Sequence, residues 1–250
     1  MPYSLTMHLD IKEEQHAGYY LSSLFQGALM EQINPDYADH LHEISLHPYS
    51  QAFYRSGNEW LWRVNGLNQE AKREIIDPLN APDFRTIYLR SKDFQIPVLS
   101  KEQFSAEETS LVEQYFIRGE GSKTFRINFL TPTSFKQNGS YCIFPSVRLI
   151  FQSLMHRFDA FSEDAEVYSD DVLEQFEEYV QITGYRLRST SFSMEHTRIP
   201  SFLGEITVRV HGPQQMANLA RMLVKFGEFS GVGIKTGMGM GAIQLLESRR

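Results

Sequence analysis

Residues 229–241 read FSGVGIKTGMGMG, with five glycines at alternating spacing on either side of Ile234-Lys235-Thr236. Glycine tolerates positive φ and lets the backbone approach a ligand closely. A run of bare backbone amides can form a concave nest that binds anions. The stretch therefore predicts a bent loop suited to a phosphate backbone. The alternative is a bend that packs a helix tightly on a sheet.

Two familiar glycine motifs do not match this stretch. A Walker loop needs glycine directly before Lys-Ser/Thr, whereas Ile234 precedes Lys235-Thr236. A dinucleotide-binding fingerprint follows a strand and opens a helix, whereas this loop follows a helical pattern. Both nucleotide interpretations are excluded by context.

The residues around the loop predict a split β-α-β pattern in the second half of the chain. Phe125, Ile127 and Phe129 alternate with polar residues, as in a strand with one buried face. An acidic stretch, 163–180, interrupts the pattern and predicts an inserted helix. The remaining predicted elements are helices at 147–161 and 216–224 and strands at 185–195, 205–210 and 242–246.

The same order of elements is predicted in the first half. Leu5, Met7, Leu9 and Ile11 alternate with polar residues and indicate the first strand. The other predicted elements are a helix at 18–33 that ends at Asn34-Pro35, a hairpin of 51–54 with 60–64, a helix at 68–77 and a strand at 85–90. The sequence therefore predicts an α+β protein of two tandem β-α-β-β-α-β domains, 1–120 and 121–250. The boundary is placed near Gly119, Gly121 and Ser122, where the pattern of apolar residues is interrupted.

Charge is distributed unevenly between the two halves. The chain has a formal net charge of -7; residues 1–120 carry 10 Lys+Arg against 18 Asp+Glu (net -8), and residues 121–250 carry 14 against 13 (net +1). The C-terminal half is the better candidate for binding a polyanion. Cys142 is the single cysteine, so neither an intrachain disulfide nor a cysteine zinc cluster is expected. With no export signal or membrane span expected, a cytoplasmic protein is predicted.

Several segments together resemble one family, the CRISPR-associated endoribonucleases that process precursor transcripts, the sixth Cas family. The glycine-rich stretch 229–241 resembles its C-terminal signature. Further resemblance lies in FLTPTSFK (129–136), Phe144-Pro145, LMHR (154–157), FQGALM (25–30) and Leu41-His42-Glu43. The matches follow the family order over nearly the whole chain. The resemblance implies two ferredoxin-like domains and a protein that binds CRISPR repeat RNA and cuts it.

The family position implies His42 as the catalytic histidine. Histidine can give or take a proton near neutrality, and such positioned transfer typically contributes about 10² to 10⁴ in rate. Some family members also use a tyrosine in the first helix and a lysine after the histidine. Here Gly27 stands at the first position and His47 near the second. His47 therefore shares the acid and base roles, steadies the phosphate as a cation, or is a turn residue before Pro48.

The glycine-rich stretch and nearby basic residues are the candidates for binding RNA. The predicted contacts are the amides of Gly231, Gly233, Gly237, Gly239 and Gly241, with Lys235, Thr236, Lys136 and Arg126 reaching phosphates. Backbone contacts of this kind position a strand without reading its sequence.

Three other interpretations remain open at this point. A repeat-binding protein without cleavage activity fits the absence of the tyrosine and lysine. A structural subunit of a CRISPR effector complex has the same fold class. A metal-dependent nuclease lacks sequence support, because no His-Glu-x-x-His or clustered carboxylate set is present; no metal and no cofactor are expected. The expected partner is precursor repeat RNA, and homodimerisation and contact with an effector complex stay open.

Overall fold

The N-terminal half folds into a five-stranded antiparallel sheet with helices on one face. The computed structural model describes residues 2–12, 17–106, 108–162, 165–194 and 197–247. The elements of this half are β1 (Tyr3–Leu9), α1 (Ser22–Gln32), α2 (Pro35–Glu43), β2 (Tyr49–Ser56), β3 (Glu59–Gly66), the helical segment α3 (Gln69–Ala71, Lys72–Ile76 and Asp77–Asn80), β4 (Thr86–Leu89) and β5 (Phe94–Ser105). The strand order is β2-β3-β1-β5-β4.

Alternation in β1 determines which face of this sheet is buried. Leu5 and Met7 are fully buried and belong to one core cluster with Phe25 of α1 and Trp62 of β3. The Trp62 indole donates to Gln51 Oε1 at 2.7 Å, so its polar edge is satisfied within the core. The period-two pattern of the sequence therefore predicts the helix-covered face correctly.

Two elements of this half differ from the sequence prediction. Asn34-Pro35 does end α1, but it also starts α2: the Asn34 side chain accepts from the Asp36 amide and Pro35 takes the first helical position. The strand beside β1 is β5, and β4 pairs with β5 at the edge of the sheet. Most of β5 is exposed or half-exposed, with Lys101 and Glu102 at adjacent positions, so it carries no alternating apolar signal.

The C-terminal half repeats the arrangement with four main strands. Its elements are α4 (Glu108–Leu111, continued by Val112–Ile117), β6 (Thr124–Thr133), the small hairpin β7 (Phe135–Gln137) and β8 (Ser140–Cys142), α5 (Val147–Phe161), α6 (Asp170–Tyr179), β9 (Val180–Met194), β10 (Thr197–Val210), α7 (Gln214–Ser230) and β11 (Ile243–Glu247). The strand order is β11-β6-β10-β9. The first strand of the unit, β6, lies between the last and the third, as in a ferredoxin-like domain.

The predicted elements of this half all occur; the helix predicted at 147–161 has the bounds of α5, and the other elements have different bounds. The inserted helix α6 is shorter than the acidic stretch that predicted it; residues 163 and 164 lie outside the described residues. Strands β9 and β10 are each longer than predicted and pair from Val180↔Val210 to Met194↔Thr197. Residue 195, the predicted end of the earlier strand, is also outside the described ranges. The ends of β9 and β10 that form the hairpin have polar residues on both faces. These ends therefore show no period of two, and the sequence did not predict the full length of the strands.

Hydrogen bonds and apolar contacts join the two halves. The Ser50 hydroxyl and the Asn65 amide both donate to the carbonyl of Phe229 at the end of α7. Tyr54 of β2 shares a small buried cluster with Ala242, next to β11. The predicted boundary at 120 stays a prediction, although α4, which precedes it, packs on α7. None of the described helices has the length and apolarity that a membrane crossing requires.

Candidate active site

The glycine-rich loop between α7 and β11 is folded by its own hydrogen bonds. The amides of four glycines donate within the protein: Gly231 to Gly227 O, Gly233 to Ser153 Oγ, Gly239 to Thr236 O and Gly241 to Pro132 O. The same four glycines have positive φ, between +69° and +102°. Because their amides are already satisfied, these four do not form the bare anion nest that the sequence suggested. They are required by the shape of the loop.

Apolar side chains between the glycines anchor the loop. Ile234, Met238 and Met240 pack in a small core with Phe192 and Ile199 of the β9–β10 hairpin. The alternation of glycine with larger residues therefore has a structural cause: the larger residues fill this core while the glycines turn the chain.

Gly237 places the loop against His47. A Cβ built on Gly237 would lie 2.9 Å from His47 Nδ1 and 3.1 Å from the Tyr49 hydroxyl, so a glycine is needed for this approach. The His47 and Tyr49 rings are stacked, with centroids 5.4 Å apart and planes 2° apart. Gly237 is therefore the loop glycine that lies directly against the candidate histidine.

The two candidate histidines lie at the end of α2 and in the segment that follows. His42 is exposed and lies in the last turn of α2, a helix that the sequence analysis did not predict. His47 is half-buried between α2 and β2. The structure brings the two together, because His42 is among the groups whose electrostatic interaction affects His47.

Burial lowers the pKa of His47 below its ordinary value of 6.5. A hydrogen bond to the Leu41 carbonyl opposes this shift, while the positive charges of Arg157 and Lys235 add to it. His47 is therefore a neutral imidazole at neutral pH. One ring nitrogen donates to Leu41, which leaves the other as a proton acceptor.

Arg157 supplies a buried positive charge behind the loop, a role that the sequence did not single out. It lies on α5, is 7% exposed, and its Nη2 is 3.5 Å from the Gly233 carbonyl oxygen. Nη1 has no hydrogen-bond partner among the described residues. Burial lowers the pKa of Arg157 to about 10, so the guanidinium remains charged at neutral pH. The signal in the sequence that could have identified Arg157 is its position in the LMHR segment (154–157), which resembles a family motif.

The side chains predicted to reach phosphates occupy different environments. Lys235 is exposed, adopts a left-handed conformation (φ 58°) and lies near His47. Thr236 is 2% exposed and packs against Gly231, so this structure does not support a phosphate contact from its hydroxyl.

Lys136 lies on the small β7–β8 hairpin, and Arg126 lies on β6 of the C-terminal sheet. Lys136 is exposed on the β7–β8 hairpin, which begins where the Ser134 carbonyl accepts from the Ile234 amide of the loop. Arg126 is paired with Glu205 at 3.0 Å, so its charge is partly neutralised by a neighbour. Within the described ranges, no three His, Cys, Asp or Glu side chains cluster as metal ligands would.

The chain shares its fold of two ferredoxin-like domains with CRISPR-associated proteins of known structure. The structure of the product complex of Cas6 (TTHB231) has a TM-score of 0.79, 24% identity and coverage of 98% of this chain and 100% of that one. The same protein, from Thermus thermophilus, gives a TM-score of 0.72 in a second structure, with 98% of each chain covered and 24% identity. The product complex of Cas6 (TTHA0078) has a TM-score of 0.79 at 22% identity, with 99% and 100% coverage.

Sequence comparison identifies the family within that class. The family model for CRISPR-associated endoribonuclease Cas6 matches residues 127–243. A Streptococcus thermophilus Cas6 is 36% identical over 95% of this chain and 96% of its own length. A Mycobacterium tuberculosis Cas6 (strain ATCC 25618 / H37Rv) is 36% identical over 97% of this chain and 77% of its own. The chain belongs to the Cas6 family and is an endoribonuclease that processes CRISPR repeat RNA.

Proposed function

We propose that the protein cuts precursor repeat RNA without a metal ion, by acid–base catalysis at His42 and His47. The 2′-oxygen next to the cut attacks phosphorus while its proton passes to a base. The bond from phosphorus to the 5′-oxygen breaks as an acid protonates that oxygen. The products are a 2′,3′-cyclic phosphate and a 5′-hydroxyl.

The cluster of His47, His42 and Gly237 carries this proposal. A neutral His47 with one free nitrogen suits the base, whereas a cation that steadies the phosphate would need a protonated ring. The exposed His42 suits the acid that meets the leaving oxygen. The charge of Lys235, which acts on His47, is placed to stabilise the crowded phosphate.

The structures solved for one relative, Cas6 (TTHA0078), include a substrate-mimic complex and a histidine-to-alanine mutant. Binding of repeat RNA here rests on the family, and contact with an effector complex and dimerisation are further proposals.

The test is single-turnover cleavage of the cognate repeat RNA in EDTA by the wild type and by His42→Ala and His47→Ala. We expect cyclic-phosphate ends from the wild type and a loss of about 10² to 10⁴ in rate from each variant, with RNA affinity unchanged. His40→Ala is the matched control, because His40 is an exposed histidine on the same helix.

Tight binding by the wild type with no product in EDTA would contradict the proposed metal-independent cleavage. Cleavage that requires added Mg²⁺ would contradict the proposed chemistry. A rate unchanged by His42→Ala would move the active site elsewhere.

A further inference from the structure

A groove of about 550 Å³ lies between the two halves of the protein. Gln26, Gly27 and Arg90 line it from the N-terminal half, and Met194 and Met238 line it from the C-terminal half. Arg90 is paired with Glu31 at 3.0 Å. Gly27 stands where some family members have a tyrosine, but none of the predicted site residues of this chain is among the residues that line the groove.

The groove is continuous with the candidate active site along two paths. Met238 directly follows Gly237, which contacts His47. Gln26 hydrogen-bonds Tyr49, whose ring stacks on His47. A strand with its phosphate at the histidines therefore has one neighbouring nucleotide at the mouth of the groove.

Gly27 keeps the groove open. It is exposed on α1, and a Cβ built there would meet no atom within 4 Å. Because Gly27 lines the groove, a large side chain at this position would extend into its open space. Glycine costs about 1 kcal/mol in a helix interior relative to alanine, and no turn or positive φ requires it here.

The lining suits an unpaired nucleobase. The thioethers of Met194 and Met238 offer polarisable contacts for a planar ring. Ser23, Gln26 and the guanidinium of Arg90 offer hydrogen bonds to base edges. Pockets of roughly 300 to 1,000 Å³ hold small organic ligands, and single-stranded RNA is recognised by bases splayed out of the stack.

We propose that this groove binds the unpaired nucleoside next to the scissile phosphate and so fixes the position of the cut. The proposal rests on the proposed function, since it deepens the account of the same site. Because the groove has walls from both halves, an occupied groove also holds the two halves against each other.

The test combines a variant whose side chain fills the groove with RNAs that lack one base. Gly27→Phe and the wild type are assayed under single turnover with the cognate repeat RNA and with two RNAs that are abasic on the 5′ or the 3′ side of the cut. We expect Gly27→Phe to raise the half-saturating concentration of intact RNA at least tenfold. For the wild type, the half-saturating concentration of one of the two abasic RNAs rises by a similar factor. Gly27→Phe does not raise the half-saturating concentration of that RNA further. Gln32→Phe, the same ring on an exposed position of α1, serves as the control.

The inference is overturned if neither abasic RNA loses affinity for the wild type, or if the effects of Gly27→Phe and base removal multiply. The abasic series on the wild type alone decides the question should Gly27→Phe fail to fold. Cleavage of intact RNA by the wild type tests the proposed function separately, so the two failures are distinguishable.

Discussion

At the scale of residues, the chemistry depends on how His47 is held neutral. Its ring is half-buried, stacked on Tyr49 and approached by the guanidinium of Arg157. Motif position alone predicted His42 and brought His47 into consideration. The state of His47 was not predictable, because its lowered pKa results mainly from burial in the fold and in part from Arg157, 110 positions away in the chain. The burial of Thr236 was not predictable for the same reason. A threonine hydroxyl can contact a phosphate, but the fold of the loop determines that this side chain is buried.

Replacing Arg157 is expected to move the pH profile of cleavage. The pKa of His47 is lowered in the wild type, so the acid limb of kcat/KM should lie below pH 6.5. Arg157→Met removes a positive charge that opposes protonation, so the pKa of His47 rises and the acid limb moves to higher pH. Arg148→Met is the control, because Arg148 is on the same helix but pairs with Glu177 on the surface. An unchanged acid limb in Arg157→Met would contradict this electrostatic role.

Gly237→Ala is expected to slow cleavage without unfolding the protein. The added methyl would lie 2.9 Å from His47 Nδ1 and would push the ring out of position. Small displacements of a catalytic group cost about 10²-fold in rate. Single-turnover rates and melting temperatures are compared with Gly184→Ala, where the nearest atom to an added Cβ is 3.6 Å away. A variant that cleaves at the wild-type rate would refute the close approach.

At the scale of elements, the glycine-rich loop and α2 determine where the site forms. The loop segment was recognisable from its glycines, but the purpose of each glycine was not, since four of the amides are used to fold the loop. Helix α2 was missed because Asn34-Pro35 is a strong stop signal for one helix and an equally good start for the next. Strand β5 was missed because its polar residues give no period of two.

Gly241→Ala is expected to destabilise the glycine-rich loop strongly. Its φ is +71°, and an added Cβ would lie 2.0 Å from the Val232 carbonyl oxygen, so the backbone of the loop must move. We expect the free energy of unfolding to fall by about 2 kcal/mol or more. Urea denaturation measures the effect against Gly57→Asn, a residue that tolerates the same conformation in an exposed turn. Equal stabilities for the two variants would contradict this account.

At the scale of the whole molecule, two similar units form one site between them. The histidines come from the N-terminal half, and the loop and Arg157 come from the C-terminal half. The repeated order of strands and helices predicted the two units correctly. Their relative placement was not predictable, because contacts such as Asn65 to Phe229 involve polar groups with no periodic pattern.

Asn65→Ala is expected to weaken the junction between the halves. The Asn65 amide donates to the Phe229 carbonyl and to the Ser50 hydroxyl, both at 2.9 Å, in a buried position. Its loss should cost about 1 to 3 kcal/mol in the free energy of unfolding, since it leaves buried acceptors with fewer donors. Asn80→Ala, which loses one exposed bond to Gln103, should change stability little when measured by urea denaturation. A neutral effect of Asn65→Ala would show that the junction depends on other contacts.

The most direct measurement of the central claim is single-turnover cleavage, in EDTA, of a repeat RNA with one 2′-deoxy substitution on the 5′ side of the cut. If the neighbouring 2′-hydroxyl is the nucleophile, this RNA binds the wild-type protein normally and is not cleaved, while the unmodified RNA yields a 2′,3′-cyclic phosphate. Cleavage of the deoxy-substituted RNA at the unmodified rate would show that water attacks instead and would contradict the proposed roles of His42 and His47.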